Sequence, residues 1–418
     1  DRWPDEWFTV DRNGIKHCKY KDPVCRLHKA LYGHLDAGTY WEMHAEKHLK
    51  SVGFTTIPDW RSCFVHPVLK LYLIVYVDDF KLAGPTNICQ EGWKLIRKGI
   101  QTGDPEPVNR YLGCEHIVTE ATIPVGSNPP HGDIPKPPPK SKPIPKNGEE
   151  VDYAKLAQAR EASEKARRKI DYQRTDHPST KRTKVKVMIY DMRSFFESCV
   201  KVYMDLSGAT TNQINKAAPT PFLTDKDKEY DDSQEPAGVL QPKASKIIMK
   251  VLYGARMARY DLLHVCQALA CKVTKWTKTC DQRLHRLMAY IHQSIDLTMY
   301  GWIGDQAQDL RLWLYTDADF ASDKTDSKSV SGVFCALTGP TSYFPICALS
   351  KKQTNVSHST CESETVAADL GLRTEALPLM TLLDRIFRRE VRCLFLEDNR
   401  PTLRNIQTGK HQALRHVS

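Results

Sequence analysis

The sequence predicts an α/β chain: a mixed sheet with flanking helices in the C-terminal part, preceded by a smaller α+β unit. Three observations predict it. Apolar and polar residues alternate in "LRLWLYTDADF", "SGVFCALTG", "TSYFPICAL" and "VRCLFLEDN", the period of half-buried strands. Ser359 stands three residues before Glu362, the arrangement that opens a helix, between the third and fourth of these runs. Near the other end, "LYLIVYVDDF" (Leu71 to Phe80) is a β-branched and aromatic run preceded by a helical repeat.

Each element follows from a local signal. From Asp36 to Val52, Tyr40, Trp41, Ala45, His48, Leu49 and Val52 recur at helical spacing, so a helix packs on the strands around Leu71. This first region covers about residues 1–120. Residues 121–184 hold "PVGSNPPHGDIPKPPPKSKPIPKNGEE", too poor in large apolar side chains to fold, and then "VDYAKLAQAREASEKARRKIDYQR". In the latter, Glu161 with Lys165 and Glu164 with Arg168 fall at i,i+4, reading as a solvated helix or as a basic run against nucleic acid. Together they read as a linker with a charged helix.

Residues 185–305 read as a helical connection, with repeats at Ile247, Ile248, Val251, Leu252 and Ala255, then Leu262 to Val273, then Leu284 to Ile295. Residues 306–418 carry the predicted sheet. There Leu310, Leu312 and Leu314 alternate with Trp313, Tyr315 and Asp317, which puts Asp317 on the aromatic face at a strand's end. A Gly-Pro turn separates the next two strands. Pro378 is expected to end or kink the helix opened by Ser359, and Pro401 and Gly409 frame a last short one.

The 418 residues are enough for two or three folded units. A net charge of +10 favours a polyanionic partner such as nucleic acid. There is no apolar run of membrane-spanning length, and "DRWPDEWFTV" is unlike a signal peptide. The 13 cysteines are scattered, without paired C-x-x-C units, as for reduced thiols in the cytoplasm or nucleus. His358 and Cys361 lie three apart, but no second pair at ligand spacing joins them. The chain starts without Met and stops at "RHVS", reading as a piece of something longer.

Carboxylates are the candidates for chemistry. Asp78 and Asp79 follow a buried-strand pattern directly; they are turn residues, or a metal-binding pair at a hairpin tip. Asp317 ends one strand, Glu364 opens a helix and Asp398 ends another strand. Each alone is explained by a turn or by the positive end of a helix. In this order they describe acids meeting at one edge of a mixed sheet. Two-metal phosphodiester hydrolysis needs such a set, because two hard cations about 3.5–4 Å apart must be held by oxygen.

The stretch "LYTDADFASDKTDSKSVSGVFCALTGPTSYFPICALSKKQTNVSHSTCESETVAADLGLRTEA", with "LFLEDNRPTLRNIQTGK" downstream, resembles the ribonuclease H domain of copia-type LTR retrotransposon Pol polyproteins. "CRLHKALYGHLDAGTYWEMHAEKHLKSVGF" followed by "YLIVYVDDFKLAGP" is similar to the latter half of the reverse transcriptase palm of that family. "LYGARMARYDLLHV" resembles the region connecting the two enzymes. The resemblance implies a ribonuclease H-like mixed sheet preceded by a partial reverse transcriptase palm. It implies Asp317, Glu364 and Asp398 as catalytic ligands of two Mg2+ or Mn2+ ions, with Glu362 matching the family's other glutamate.

By the same resemblance Asp78 and Asp79 match the polymerase's metal pair. Lys351, Lys352, Gln353 and Asn399 are candidate nucleic-acid contacts, and His411 and His416 candidates for proton transfer. The implied partners are RNA/DNA hybrid, DNA, RNA and the remainder of the polyprotein. Four departures stand out. The palm's upstream Asp has no counterpart, which implies an incomplete polymerase. His34, Leu35, Asp36, Ala37 and Gly38 replace Leu-Lys-Gln-Ala-Pro, Tyr260 replaces a Pro, and Ser418 stands where an acid is common. A remnant that binds nucleic acid without catalysis is the alternative.

Overall fold

The structure, a computed structural model, describes residues 4–21, 31, 33–124, 182–223, 235–323 and 326–409. The chain divides into two compact units, Asp1–Thr56 with Ser62–Gly103, and Ile57–Arg61 with Asp104–Ser418. Among the described residues no helix is long and apolar enough to cross a membrane.

The first unit opens with a short hairpin, β1 (Phe8–Val10) and β2 (Lys16–Cys18). Helix α1 (Ala37–Ser51) falls where the Asp36–Val52 repeat predicts it and buries Ala45 and Leu49. The sheet that follows has the order β3 (Thr55–Ile57), β4 (Trp60–His66), β5 (Leu71–Tyr76), β6 (Asp79–Ala83). One face of β5 is apolar, so Leu71, Leu73 and Val75 join Leu49, Phe54, Phe64 and Ile96 in a core. Ile96 comes from α2 (Thr86–Arg97), which approaches closely because Gly92 has no Cβ. A Cβ there would stand 2.5 Å from Leu71 Cδ1.

The second unit is built on an eight-stranded sheet. In chain order its strands are β7 (Arg110–Tyr111), β8 (Cys114–Pro124), β9 (Arg182–Asp191), β10 (Met299–Trp302), β11 (Arg311–Asp323), β12 (Lys328–Gly339), β13 (Ser342–Lys352) and β14 (Cys393–Leu396). Across the sheet the order is β14-β11-β12-β13-β10-β9-β8-β7. β11, β12 and β13 form an antiparallel meander, and β14 lies parallel to β11. Helices α3 (Arg193–Ser207), α4 (Thr211–Ile214), α5 (Gln241–Ala258), α6 (Leu263–Ala270) and α7 (Lys278–Gln293) surround a large core. Phe196, Ile248, Val251, Leu284 and Ile291 lie at its centre.

Two expectations about the chain's divisions change. Residues 121–184 read as a linker between regions, yet β8 and β9 pair directly, with Ile123 opposite Thr183. The stretch therefore runs from one strand of a hairpin to the next; residues 125–181 lie outside the described residues. The regions 185–305 and 306–418 are also joined, because Trp302 of β10 pairs with Tyr343 of β13. Composition marks where a chain cannot build a core, but it carries no record of strand pairing.

The C-terminal helices are α8 (Thr360–Gly371), α9 (Leu377–Phe387) and α10 (Arg400–Thr408). Pro378 was expected to end or kink the helix after Ser359. Instead Leu372–Ala376 forms a π-helical turn and Pro378 sits in the first turn of α9. The wider turn absorbs the lost N–H before the proline, so the chain stays helical. Asn399 caps α10, accepting from Thr402 N at 3.0 Å, and Gly409 closes it in the left-handed region at φ 63°.

Candidate metal centre

Three elements deliver three acids. Along β11 the side chains alternate, with Leu312, Leu314 and Thr316 buried and Asp317 exposed. The strand continues past Asp317 to Asp323, so this acid is internal to the strand instead of at its end. β14 runs beside it with Tyr315 opposite Leu396, which carries Asp398 to the level of Asp317. Glu364 comes from the first turns of α8. Ser359 Oγ accepts from Glu362 N at 3.2 Å and Glu362 Oε2 accepts from His358 N at 2.7 Å, a variant of the reciprocal cap the sequence predicts.

Gly371 lets that helix lie on the sheet. A Cβ there would stand 2.8 Å from Thr316 Cγ2 and 3.2 Å from Leu314 Cδ1. α8 therefore packs against β11 and β12, and Glu364 is brought to the carboxylates from behind. The ligand oxygens of Asp317, Glu364 and Asp398 all lie within 4.8 Å of one another. Asp317 and Asp398 are exposed while Glu364 is only 4% exposed. Asp317 and Asp398 line an open groove of about 1050 Å³, whose walls also include Tyr260, His264, Tyr315, Phe334 and Glu397.

The electrostatics are those of a site short of positive charge. Burial pushes the Glu364 carboxyl up to about 7, and the charges of Glu397, Asp317 and Asp398 add to the shift, against the Ala318 backbone N–H. Glu364 Oε2 is buried without a hydrogen-bond partner. A buried, unpaired carboxylate oxygen facing two more acids is costly unless a cation meets it. The donors are all hard oxygens, so this set fits Mg2+ or Mn2+.

In curated comparisons the chain is 29% identical over 114 residues to the Retrovirus-related Pol polyprotein from transposon RE2 of Arabidopsis thaliana, 27% of this chain and 8% of that protein. It is 33% identical over 96 residues to the corresponding protein from transposon RE1 of the same plant, 22% of this chain and 6% of that protein. Over these stretches the chain is similar to retrovirus-related Pol polyproteins of plant transposons. Its matches span less than a tenth of those relatives' length. No protein-family model matches it, and no solved structure gives a significant match.

The other candidate residues are placed as follows. Lys351 is exposed at the end of β13, whereas Lys352 pairs with Asp323 and, at 2.9 Å, with Asp326. Gln353 is corrected as a nucleic-acid contact: it is 6% exposed, and its Nε2 donates to Ser331 Oγ and Ser363 O, both at 2.9 Å. It ties the end of β13 to β12 and α8. Asn399 is occupied as the α10 cap. Glu362 is 1% exposed and caps α8 instead of reaching the groove. His411, His416 and Ser418 lie outside the described residues.

Asp78 and Asp79 sit at the tip of the β5–β6 hairpin. Tyr76 pairs with Asp79, which leaves Val77 and Asp78 as a two-residue loop. Val77 is held at φ 54°, a region a β-branched residue rarely enters. Trp41 Nε1 donates to Val77 O at 2.8 Å and anchors the tip to α1. Both aspartates are exposed, and among the described residues no third acid, Cys or His completes a metal-holding group with them.

Sequence reading passed over Glu397. It accepts from Thr316 Oγ1 at 3.0 Å and from Asn399 N at 3.1 Å. Burial raises its carboxyl above the usual range, Asp398 and Asp317 add to this, and those two hydrogen bonds oppose it. Its one sequence signal is adjacency to Asp398.

Proposed function

We propose that this chain hydrolyses the RNA strand of RNA/DNA hybrids, using divalent cations held by Asp317, Glu364 and Asp398. The observation that carries the proposal is the meeting of these three acids within 4.8 Å, two of them, Asp317 and Asp398, lining an open groove. The ribonuclease H-like motif order and the kinship with Pol polyproteins support the same reading. Two cations at such a site supply an activated water and stabilise the departing oxygen.

The residues divide the work by exposure. Asp317 and Asp398 face the groove, where a phosphate can enter, and Glu364 lies behind them with one oxygen free of protein partners. The acid cluster cannot bind a polyanion by itself, so cation binding precedes substrate. The chain's +10 charge favours the rest of the hybrid, and 2′-hydroxyls in an A-like groove distinguish the RNA strand. The palm-like unit keeps only the aspartate pair of a polymerase and is proposed to be inactive alone.

The test is cleavage of an end-labelled hybrid by the purified chain with Mg2+, against chelator and against Asp317→Asn. Metal-dependent cleavage abolished by the substitution is expected. Hybrid binding with no cleavage at any metal concentration would instead favour a non-catalytic remnant.

A further inference from the structure

We infer that Glu397 is a fourth carboxylate of this centre, supplying the charge that retains the weaker of two cations. The inference rests on the metal-centre reading above and extends it to a residue outside the motif-matched set. β14 runs parallel to β11 and ends with Leu396 opposite Tyr315, and just beyond it Glu397 is linked to Thr316 by a hydrogen bond. Glu397 lines the same groove as Asp317 and Asp398. It is not one of the three acids whose ligand atoms lie within 4.8 Å of one another.

Its carboxylate is also fixed in place. Thr316 Oγ1 donates to Oε2 at 3.0 Å and Asn399 N donates to Oε1 at 3.1 Å. A carboxylate offers about four acceptor positions, so each oxygen keeps capacity for a cation. Three carboxylates balance only part of the charge of two divalent ions; a fourth completes it. An independent observation points the same way. Glu364 is 4% exposed, its Oε2 has no hydrogen-bond partner, and Glu397 is the neighbouring charge that acts on it most strongly.

The competing explanation is that Glu397 only joins the end of β14 to the start of α10. Glutamine can make both of those hydrogen bonds, so Glu397→Gln keeps that role and removes the charge. The experiment is calorimetric titration of the whole chain with MnCl2, without nucleic acid, on the parent, Glu397→Gln and Asp317→Asn. A second neutral variant, Glu397→Ser, guards against a folding defect, and metal-free melting checks each protein first.

The expected result is two binding steps in the parent, with the weaker one reduced about tenfold or more in the neutral Glu397 variants. Asp317→Asn should lose the tighter step. An unchanged weaker step in the Glu397 variants, with the tighter step lost in Asp317→Asn, overturns the role of Glu397 and leaves the centre standing. Parent-like binding by Asp317→Asn overturns the centre and this inference with it.

Discussion

Asp78 and Asp79 are neighbours in the chain, whereas Asp317, Glu364 and Asp398 are dozens of residues apart, yet it is the distant three that meet. At the hairpin tip both carboxylates point to solvent, and the local structure spends its interactions on shaping the turn: Val77 at φ 54°, Trp41 holding its carbonyl. At the sheet edge a strand, a helix and a second strand bring acids to within 4.8 Å, one of them buried. Adjacency in sequence sets two charges near each other but cannot surround a cation. Oxygen ligands from several directions require separate elements, and that is a property of the fold.

The comparison breaks most directly through Asp317. Asp317→Asn should slow hybrid cleavage at saturating Mg2+ by roughly a hundredfold or more, since removal of a ligand costs several kcal/mol of charge stabilisation. Parent-like rates in a time course of labelled-strand cleavage would remove the sheet-edge site from consideration.

A second experiment sharpens the contrast in burial. The Glu364 carboxyl is raised to about 7 from an ordinary 4.5, so the fold favours its protonated form. That contribution is fully present below the unfolded pKa and is lost as pH rises through about 7. In chelator, the parent should therefore lose melting temperature between about pH 5 and pH 8. Glu364→Gln should lose less over this range, and Mg2+ should recover part of the parent's loss at the upper end. Identical pH profiles for parent and variant, read by circular dichroism, would contradict the assignment.

A smaller effect is expected at the hairpin. Trp41→Phe keeps most of the ring packing but removes the bond to Val77 O, a loss of about 0.5–1.5 kcal/mol. Faster amide exchange at Asp79 and Phe80, with cleavage unaltered, is the readout; unaltered exchange would mean that the indole does not hold the tip. The smallest effect belongs to Asp78→Asn and Asp79→Asn, each predicted to leave hybrid cleavage within about twofold, because no step of the proposed hydrolysis passes through them. The parent chain should also fail to extend a primer, the pair lacking further oxygen ligands to fix metal geometry.

Local signals proved readable where one element explains itself. The alternation in "LRLWLYTDADF" becomes β11, the Ser359 cap opens α8, and Pro401 with Gly409 bounds α10. Gln353 looked like a contact beside two lysines, but burial between Ser331 and Ser363 decides its use. The π-helical turn Leu372–Ala376 that carries the chain through to Pro378 has no signal in the local residue pattern.

The sequence by itself determined the periods, the caps, the places where no core can form, and the identity of three acids. Those are consequences of backbone geometry and side-chain chemistry within a few residues. Only the tertiary structure decided that β8 and β9 are partners across residues 125–181, that Gly371 brings α8 onto β11, and that Glu397 accepts a hydrogen bond from Thr316. Pairing, close approach and shared burial are set by residues far apart in the chain, and the field at a carboxylate depends on what the fold places around it.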